Sequence, residues 1–88
     1  MADYSIAFAR SARKELEQIT NNIAFKILAR IGMLAKDPRP IGVIKLHGQS
    51  GLWRMRVGDY RVIYSINDTR KEIDISVIRH RKNVYRDL

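Results

Sequence analysis

The sequence contains no cysteine, which excludes a disulfide framework, a thiol nucleophile and a cysteine-based metal site. It has no run of about 18 apolar residues, and its N-terminus lacks a charged segment followed by an apolar one, so neither a membrane span nor a signal peptide is expected. The two histidines, His47 and His80, lie far apart, without the paired spacing of a zinc motif. These absences predict a cytoplasmic protein that does not span a membrane and that requires no metal or other cofactor.

Acidic residues are also scarce. The sequence has 9 Asp+Glu and 17 Lys+Arg, which gives a formal net charge of +8. Such a balance favours an anionic partner, such as nucleic acid, an acidic protein or a membrane surface, and does not choose among them. The hydrophobic share of 45% argues against intrinsic disorder. A chain of 88 residues can support one hydrophobic core, so residues 1–88 are expected to form a single domain.

The first half of the chain is predicted to form one strand and two helices. Apolar residues alternate over residues 4–8, which is the period of a half-buried strand. Ser11 is predicted to cap the first helix, and Asn21 or Asn22 the second. The second helix should end before the run 37–40, since proline lacks the donor N–H and disfavours helical geometry before it.

The second predicted helix has an unusually wide apolar stripe. Its apolar residues at helical spacing are Ile23, Ile27, Ile31 and Leu34, and a further edge is formed by Phe25, Leu28, Ala29 and Met33. We expect a core helix that packs against both the first helix and a sheet. A groove that binds a partner is the alternative.

The second half is predicted to consist of short strands at residues 43–46, 52–57, 60–66 and 73–79, separated by turn residues. Sequential strands joined by tight turns are antiparallel. The predicted fold class is therefore α+β, with an N-terminal strand and a helical hairpin packed on one face of an antiparallel sheet of three to four strands. The other face of that sheet should be open.

A hairpin is predicted around Gly58 and Asp59. A two-residue turn there would pair Val57 with Tyr60, Arg56 with Arg61, Met55 with Val62 and Trp53 with Tyr64. Because side chains alternate along a strand, Arg54, Arg56 and Arg61 should share the face that points away from the core. Like charges directly opposite each other destabilise a strand pair, and a bound anion would relieve them.

The alternative interpretation is that these arginines lie on an ordinary solvent-exposed face with salt bridges. Glu72, Asp74 and Ser76 could reach the same face from the last strand. The chain then ends in the basic run 79–88, which contains Tyr85. A tyrosine among arginines suits base stacking or proton transfer beside phosphates. A solubilising terminus is the alternative for this segment.

Three segments of the chain resemble the RelE/ParE superfamily of toxins from toxin–antitoxin pairs. They are residues 45–48, residues 52–64 and the ending 80–85, and the run Arg-Val-Gly-Asp-Tyr-Arg at 56–61 is the most specific of them. The resemblance extends over nearly the whole chain. It implies a helical hairpin on an antiparallel sheet, in agreement with the pattern of the residues.

For the RelE branch, the resemblance implies an endoribonuclease that cleaves messenger RNA in the ribosomal A site without a metal. The implied partners are a cognate antitoxin, the ribosome and messenger RNA. The positions that match that branch's catalytic residues are Arg54, Arg56, Arg61, Arg79 and Tyr85. Further RNA-binding positions are Lys45, His80, Arg81 and Lys82.

The sequence departs from the RelE pattern at Arg54 and Arg56, where that branch has lysines. Arginine cannot give up its proton near neutral pH, so proton abstraction would fall to Tyr85 or His80, and its position favours Tyr85. The ParE branch, which inhibits DNA gyrase, is the alternative activity. A basic module that binds RNA without cleaving it is a third possibility.

Overall fold

Two α-helices and five β-strands make up the part of the chain that the computed structural model describes, residues 3–48 and 51–84. In chain order they are β1 (Ser5–Phe8), α1 (Arg10–Gln18), α2 (Asn21–Met33), β2 (Ile44–Lys45), β3 (Leu52–Val57), β4 (Tyr60–Asn67) and β5 (Glu72–His80).

The five strands form one sheet in the order β1-β5-β4-β3-β2. The predicted α+β class is confirmed, but the sheet has five strands instead of three to four, and it is mixed. β1 runs parallel to β5, while every other pair is antiparallel. β1 can be parallel because the helical hairpin and three strands separate it from β5, and parallel neighbours require such a long connection.

Neither helix is capped by the residues predicted from the sequence, since α1 begins at Arg10 and α2 at Asn21. The N-cap positions are Ala9 and Thr20, and neither makes a side-chain capping hydrogen bond, so the predictions of Ser11 and of Asn21 or Asn22 were wrong. α2 ends at Met33, and turns continue the chain into the segment 37–40.

The main core lies between the sheet and the helical hairpin, with α1 against β5 and α2 against β3. Its buried residues include Ile27, Ile31, Met55, Val62, Tyr64, Ile73, Ile75 and Ile78. Ser76 has no direct partner in β4, because Ile63 pairs with Val77 while Tyr64 pairs with Ile75. This bulge shifts the alternation of β5 by one residue, so Ile75 and Ile78 both point into the core.

The other face of the sheet is not fully open, in contrast to the expectation from the sequence. Ile63 is 0% exposed and Val84 is 2% exposed, yet neither belongs to the main core. Ile63 points away from the helices, because its neighbours Val62 and Tyr64 point towards them. A small second buried region therefore exists on the far side of the sheet.

Polar contacts fasten the loop after α2 to the sheet. The Tyr64 hydroxyl donates a hydrogen bond to the Pro38 carbonyl at 2.7 Å. The Arg39 guanidinium pairs with Asp68 at 2.8 Å and lies 5.1 Å from the centre of the Trp53 ring. These contacts hold the irregular segment 37–40 against β3 and β4.

Among the helices of the described residues, none is long and apolar enough to cross a membrane.

Candidate nucleic-acid interface

The β3–β4 hairpin has the register expected from the sequence. Val57 pairs with Tyr60, Arg56 with Arg61, Met55 with Val62 and Trp53 with Tyr64. Gly58 adopts a φ of 59°, which it tolerates because it has no Cβ atom. The tight turn thereby fixes which side chains share a face.

Three arginines form a line across three neighbouring strands on the face away from the helices. Arg56 of β3 is directly opposite Arg61 of β4, and Arg61 is directly opposite Arg79 of β5. We call Arg56, Arg61 and Arg79 the arginine row. Strands in a sheet are about 4.8 Å apart, so the row is about 10 Å long at the level of the backbone.

The arginine row has one member anchored to the hairpin turn. The Nη1 group of Arg61 donates to the carbonyl oxygens of Gly58 and Tyr60, both at 3.0 Å. Arg61 is half-buried, whereas Arg56 is exposed. The anchored guanidinium is thus partly preorganised, while Arg56 remains accessible to a ligand.

Arg54 lies on the same face, in the next line of residues along the strands. Its direct partner is Ile63, which in turn pairs with Val77 of β5. The Arg54 side chain is half-buried, and its Nε atom is inaccessible to solvent. Two of the three residues in this second line are therefore apolar.

Two predicted RNA-binding residues lie on the opposite face, towards the helices. Lys45 pairs with Trp53, and His80 pairs with Tyr60, and both partners pack against the main core. The His80 ring lies edge-to-face against Tyr60 with 5.6 Å between ring centres. The structure does not bring Lys45 or His80 to the arginine row.

The remaining predicted residues follow β5. Arg81 donates its backbone N–H to the Asp59 carbonyl at 2.7 Å, and its Nε lies 3.8 Å from the Asp59 carboxylate. Lys82 is exposed, and its N–H donates to Nδ1 of His80 at 3.3 Å. Tyr85 lies outside the described residues.

A cavity of about 360 Å³ lies behind the hairpin, on the helix side of the sheet. Its lining residues are Ile23, Lys26, Val57, Gly58, Asp59, Tyr60 and His80. The sequence gave no indication of this cavity, because the spacing of Lys26 is that of an ordinary exposed residue of a helix.

Among residues 3–48 and 51–84, no group of three or more His, Cys, Asp and Glu could hold a metal ion.

The family comparison identifies the fold with a class of toxins. The family described as "ParE toxin of type II toxin-antitoxin system, parDE" matches residues 6–85. "Toxin RelE" of Mycobacterium tuberculosis (strain ATCC 25618 / H37Rv) is 31% identical over 84 residues, which are 94% of this chain and 87% of that protein. "Toxin RelG" of the same strain is 27% identical and covers 94% of this chain and 97% of that protein.

A solved structure agrees with these sequence relatives. The chain superposes on the archaeal RelE–RelB complex from Pyrococcus horikoshii OT3 with a TM-score of 0.80 and 33% identity, covering 90% of this chain and 96% of that one. The match therefore extends over the hairpin and the helices alike.

Proposed function

Because the chain belongs to the RelE/ParE superfamily of type II toxin–antitoxin toxins, we propose that this toxin is an endoribonuclease that cleaves messenger RNA in the ribosomal A site. The observation that carries the proposal is the arginine row, which lines up guanidinium groups from β3, β4 and β5 on one face. Inhibition of translation in the cytoplasm is the expected consequence.

The proposed partners are the ribosome with its messenger RNA and a cognate antitoxin protein. The antitoxin is supported by the relative from Pyrococcus horikoshii OT3, which was solved as a RelE–RelB complex. A net charge of +8 favours an acidic antitoxin and also favours RNA.

The proposed reaction is an attack of the ribose 2′-oxygen on the adjacent phosphorus. The 2′-hydroxyl loses its proton to a base, the new P–O2′ bond forms, and the P–O5′ bond breaks. The 5′-oxygen takes up a proton, which leaves a 2′,3′-cyclic phosphate and a free 5′-hydroxyl. Arg56, Arg61 and Arg79 stabilise the negative charge that grows on the non-bridging oxygens, since preorganised donors are a major source of catalysis.

Tyr85 is the proposed general base. Arginines cannot serve as bases near neutral pH, and the structure places His80 on the helix side of the sheet. The assignment of Tyr85 rests on the resemblance of the ending 80–85 to the RelE branch, which has a C-terminal tyrosine among its active-site residues. Arg54, next to the row, is proposed to hold the RNA.

The proposal is tested by incubating the purified protein with ribosomes that hold a defined messenger RNA. Cuts in the A-site codon with cyclic phosphate ends are expected. The variant Arg61→Ala should reduce the cleavage rate by at least about 100-fold, as the loss of a transition-state donor does elsewhere. Arg13→Ala on the exposed side of α1 is the matched control and should leave the rate unchanged.

Gyrase inhibition is the second candidate, because the matching family is described by the ParE toxin. The same protein sample in a DNA supercoiling assay separates the two activities. Inhibited supercoiling together with intact ribosome-bound messenger RNA would support the ParE activity and contradict the nuclease.

A further inference from the structure

Ile63 and Val84 are buried apolar residues that the main core does not contain. Ile63 is 0% exposed and Val84 is 2% exposed, and among residues 3–48 and 51–84 they are the two buried apolar residues outside that core. An apolar side chain is removed from water only where other atoms of the protein cover it. Each of the two therefore has a cover that the helices do not supply.

The cover over Ile63 lies above the sheet. Ile63 is on the face away from the helices, between Arg54 of β3 and Val77 of β5. Side chains stand roughly perpendicular to a sheet, so these neighbours flank Ile63 without closing off its outer end. The Nε atom of Arg54 is inaccessible to solvent as well. A further part of the chain therefore lies over this region of the face.

The chain turns directly after β5, which ends at His80. The N–H of Arg81 donates to a carbonyl of the β3–β4 turn at 2.7 Å, and the N–H of Asn83 donates to the His80 carbonyl at 2.8 Å. The N–H of Lys82 donates to Nδ1 of His80 at 3.3 Å. Three consecutive N–H groups are thus bonded at the hairpin end of the sheet. The turn that they form leads into Val84.

Val84 has the chemistry and the position to cover Ile63. Tyr60 and His80 occupy the helix side at this end of the sheet, and Tyr60 packs against the main core. A buried Val84 on the helix side would therefore join the main core, to which it does not belong. Val84 is thus assigned to the opposite face, where Ile63 and the half-buried Val77 are its apolar partners.

A contact between Val84 and Ile63 fixes the chain close to the arginine row. Ile63 is two residues from Arg61 along β4, which is a separation of about 7 Å. Tyr85 follows Val84 in the sequence, and consecutive Cα atoms are about 3.8 Å apart. The buried valine therefore limits how far the backbone of Tyr85 can move from Arg61.

We propose that Val84 is a positioning residue, which packs on Ile63 and thereby holds the chain so that the Tyr85 hydroxyl reaches the RNA at the arginine row. The inference rests on the proposed RNA-cleaving function and on the role given there to Tyr85. It adds an apolar contact that does not touch the reacting atoms. A displacement of about 1 Å at a reacting group can cost about 100-fold in rate, so loss of this contact should slow the chemical step.

A double-mutant cycle of stability tests the contact itself and requires no ribosome. Val84→Ala and Ile63→Ala should each lower the free energy of unfolding in urea denaturation. In the double variant the loss should be smaller than the sum of the two single losses, since residues in contact are coupled. The control pair is Val84→Ala with Ile27→Val, which removes a buried carbon atom from the main core and should give additive losses.

The rate of cleavage of ribosome-bound messenger RNA tests the positioning role. At saturating ribosome concentration, Val84→Ala should reduce the rate about 10- to 100-fold and leave the ribosome concentration for half-maximal rate unchanged. In a Tyr85→Phe background it should cause no further loss, because the hydroxyl that it misplaces is already missing. Ile27→Val should leave the rate unchanged. Val84→Thr, which places a hydroxyl group over Ile63, replaces Val84→Ala in both experiments should the alanine variant not fold.

Additive losses of stability for Val84→Ala and Ile63→Ala would overturn the contact. The positioning role would be overturned by a cleavage rate that Val84→Ala leaves unchanged, or by a rate loss that is equally large in the Tyr85→Phe background. These outcomes leave the nuclease function standing. Messenger RNA that stays intact with the unmodified protein would contradict that function and with it the role of Val84, while the stability cycle would still report on the contact.

Discussion

Arg56 and Arg61 lie directly opposite each other on adjacent antiparallel strands, so two like charges occupy one cross-strand pair. Such a pair destabilises a sheet unless something neutralises it. An anion bound between the two guanidinium groups would relieve the repulsion, so the stability of the free protein and its binding of an anion can be measured separately.

Arg56→Gln should stabilise the free protein and impair its activity. Removal of the repulsion is expected to raise the free energy of unfolding by up to about 1 kcal/mol, as measured by urea denaturation at low salt. Cleavage of ribosome-bound messenger RNA should fall in the same sample. Arg13→Gln, which removes a charge from exposed α1, should change neither quantity appreciably; a destabilised Arg56→Gln would contradict this account of the pair.

Tyr64 should ionise only at unusually high pH, and the stability of the fold should fall as the pH rises through that range. Burial raises the pKa of Tyr64 from its ordinary value of 10.0 to about 12. The folded protein holds the Tyr64 proton more tightly than the unfolded chain does. The resulting contribution to the free energy of unfolding is complete below pH 10 and is lost as the pH rises towards 12. A phenolate absorbance titration should show one late step, and Tyr64→Phe should abolish it.

Tyr64→Phe also removes the hydrogen bond to the Pro38 carbonyl, at 2.7 Å in the structure. The loss should lower the free energy of unfolding by about 1 kcal/mol at neutral pH. Tyr60→Phe is the matched control, because no hydrogen bond of the Tyr60 hydroxyl is found in the described part of the chain. Equal effects of the two substitutions would count against the role given to Tyr64.

Asp68 should make the protein sensitive to acid. Hydrogen bonds from Arg39 and then Tyr4 lower the pKa of Asp68 from 3.8 to about 2. Because the folded-state pKa is depressed, the stabilisation is present above pH 4 and is lost as the pH falls towards 2. Asp68→Asn should flatten the dependence of the unfolding midpoint on pH in that window, and Glu17→Gln should leave it as it is.

The two sides of α2 should respond differently to truncation. Ile27 is 0% exposed and Phe25 is 68% exposed. Ile27→Ala should cost about 2–5 kcal/mol of unfolding free energy, since it removes buried atoms and leaves a cavity. Phe25→Ala should change it by no more than about 0.5 kcal/mol. A large loss for Phe25→Ala would mean that the outer side of this helix is covered in solution.

Local patterns predicted much of the fold and the sheet face that Arg54, Arg56 and Arg61 share. Strict alternation and a Gly-Asp turn were sufficient to pair Arg56 with Arg61, because both signals lie within one hairpin. The same alternation assigns Arg54 to their face. Helix starts were misplaced because Ser11 and the asparagines have capping chemistry, but the backbone begins its helices at positions where no side chain caps them.

Long-range pairing could not be predicted in the same way. The parallel contact of β1 with β5 joins residues nearly seventy positions apart, and no local signal encodes it. The bulge at Ser76 changes which residues of β5 face the core, so the acidic alternative for the arginine face could not be judged from alternation alone. The sequence left His80 open as an alternative base, and only its pairing with Tyr60 shows that it faces the helices.

The most direct test of the central claim is end-group analysis of messenger RNA from ribosomes stalled at a defined codon and incubated with the purified protein. The account predicts cuts in the A-site codon with 2′,3′-cyclic phosphate and 5′-hydroxyl ends, at a rate that Arg61→Ala reduces sharply and Arg13→Ala does not. Intact messenger RNA, or cutting that Arg61→Ala leaves unchanged, would contradict it.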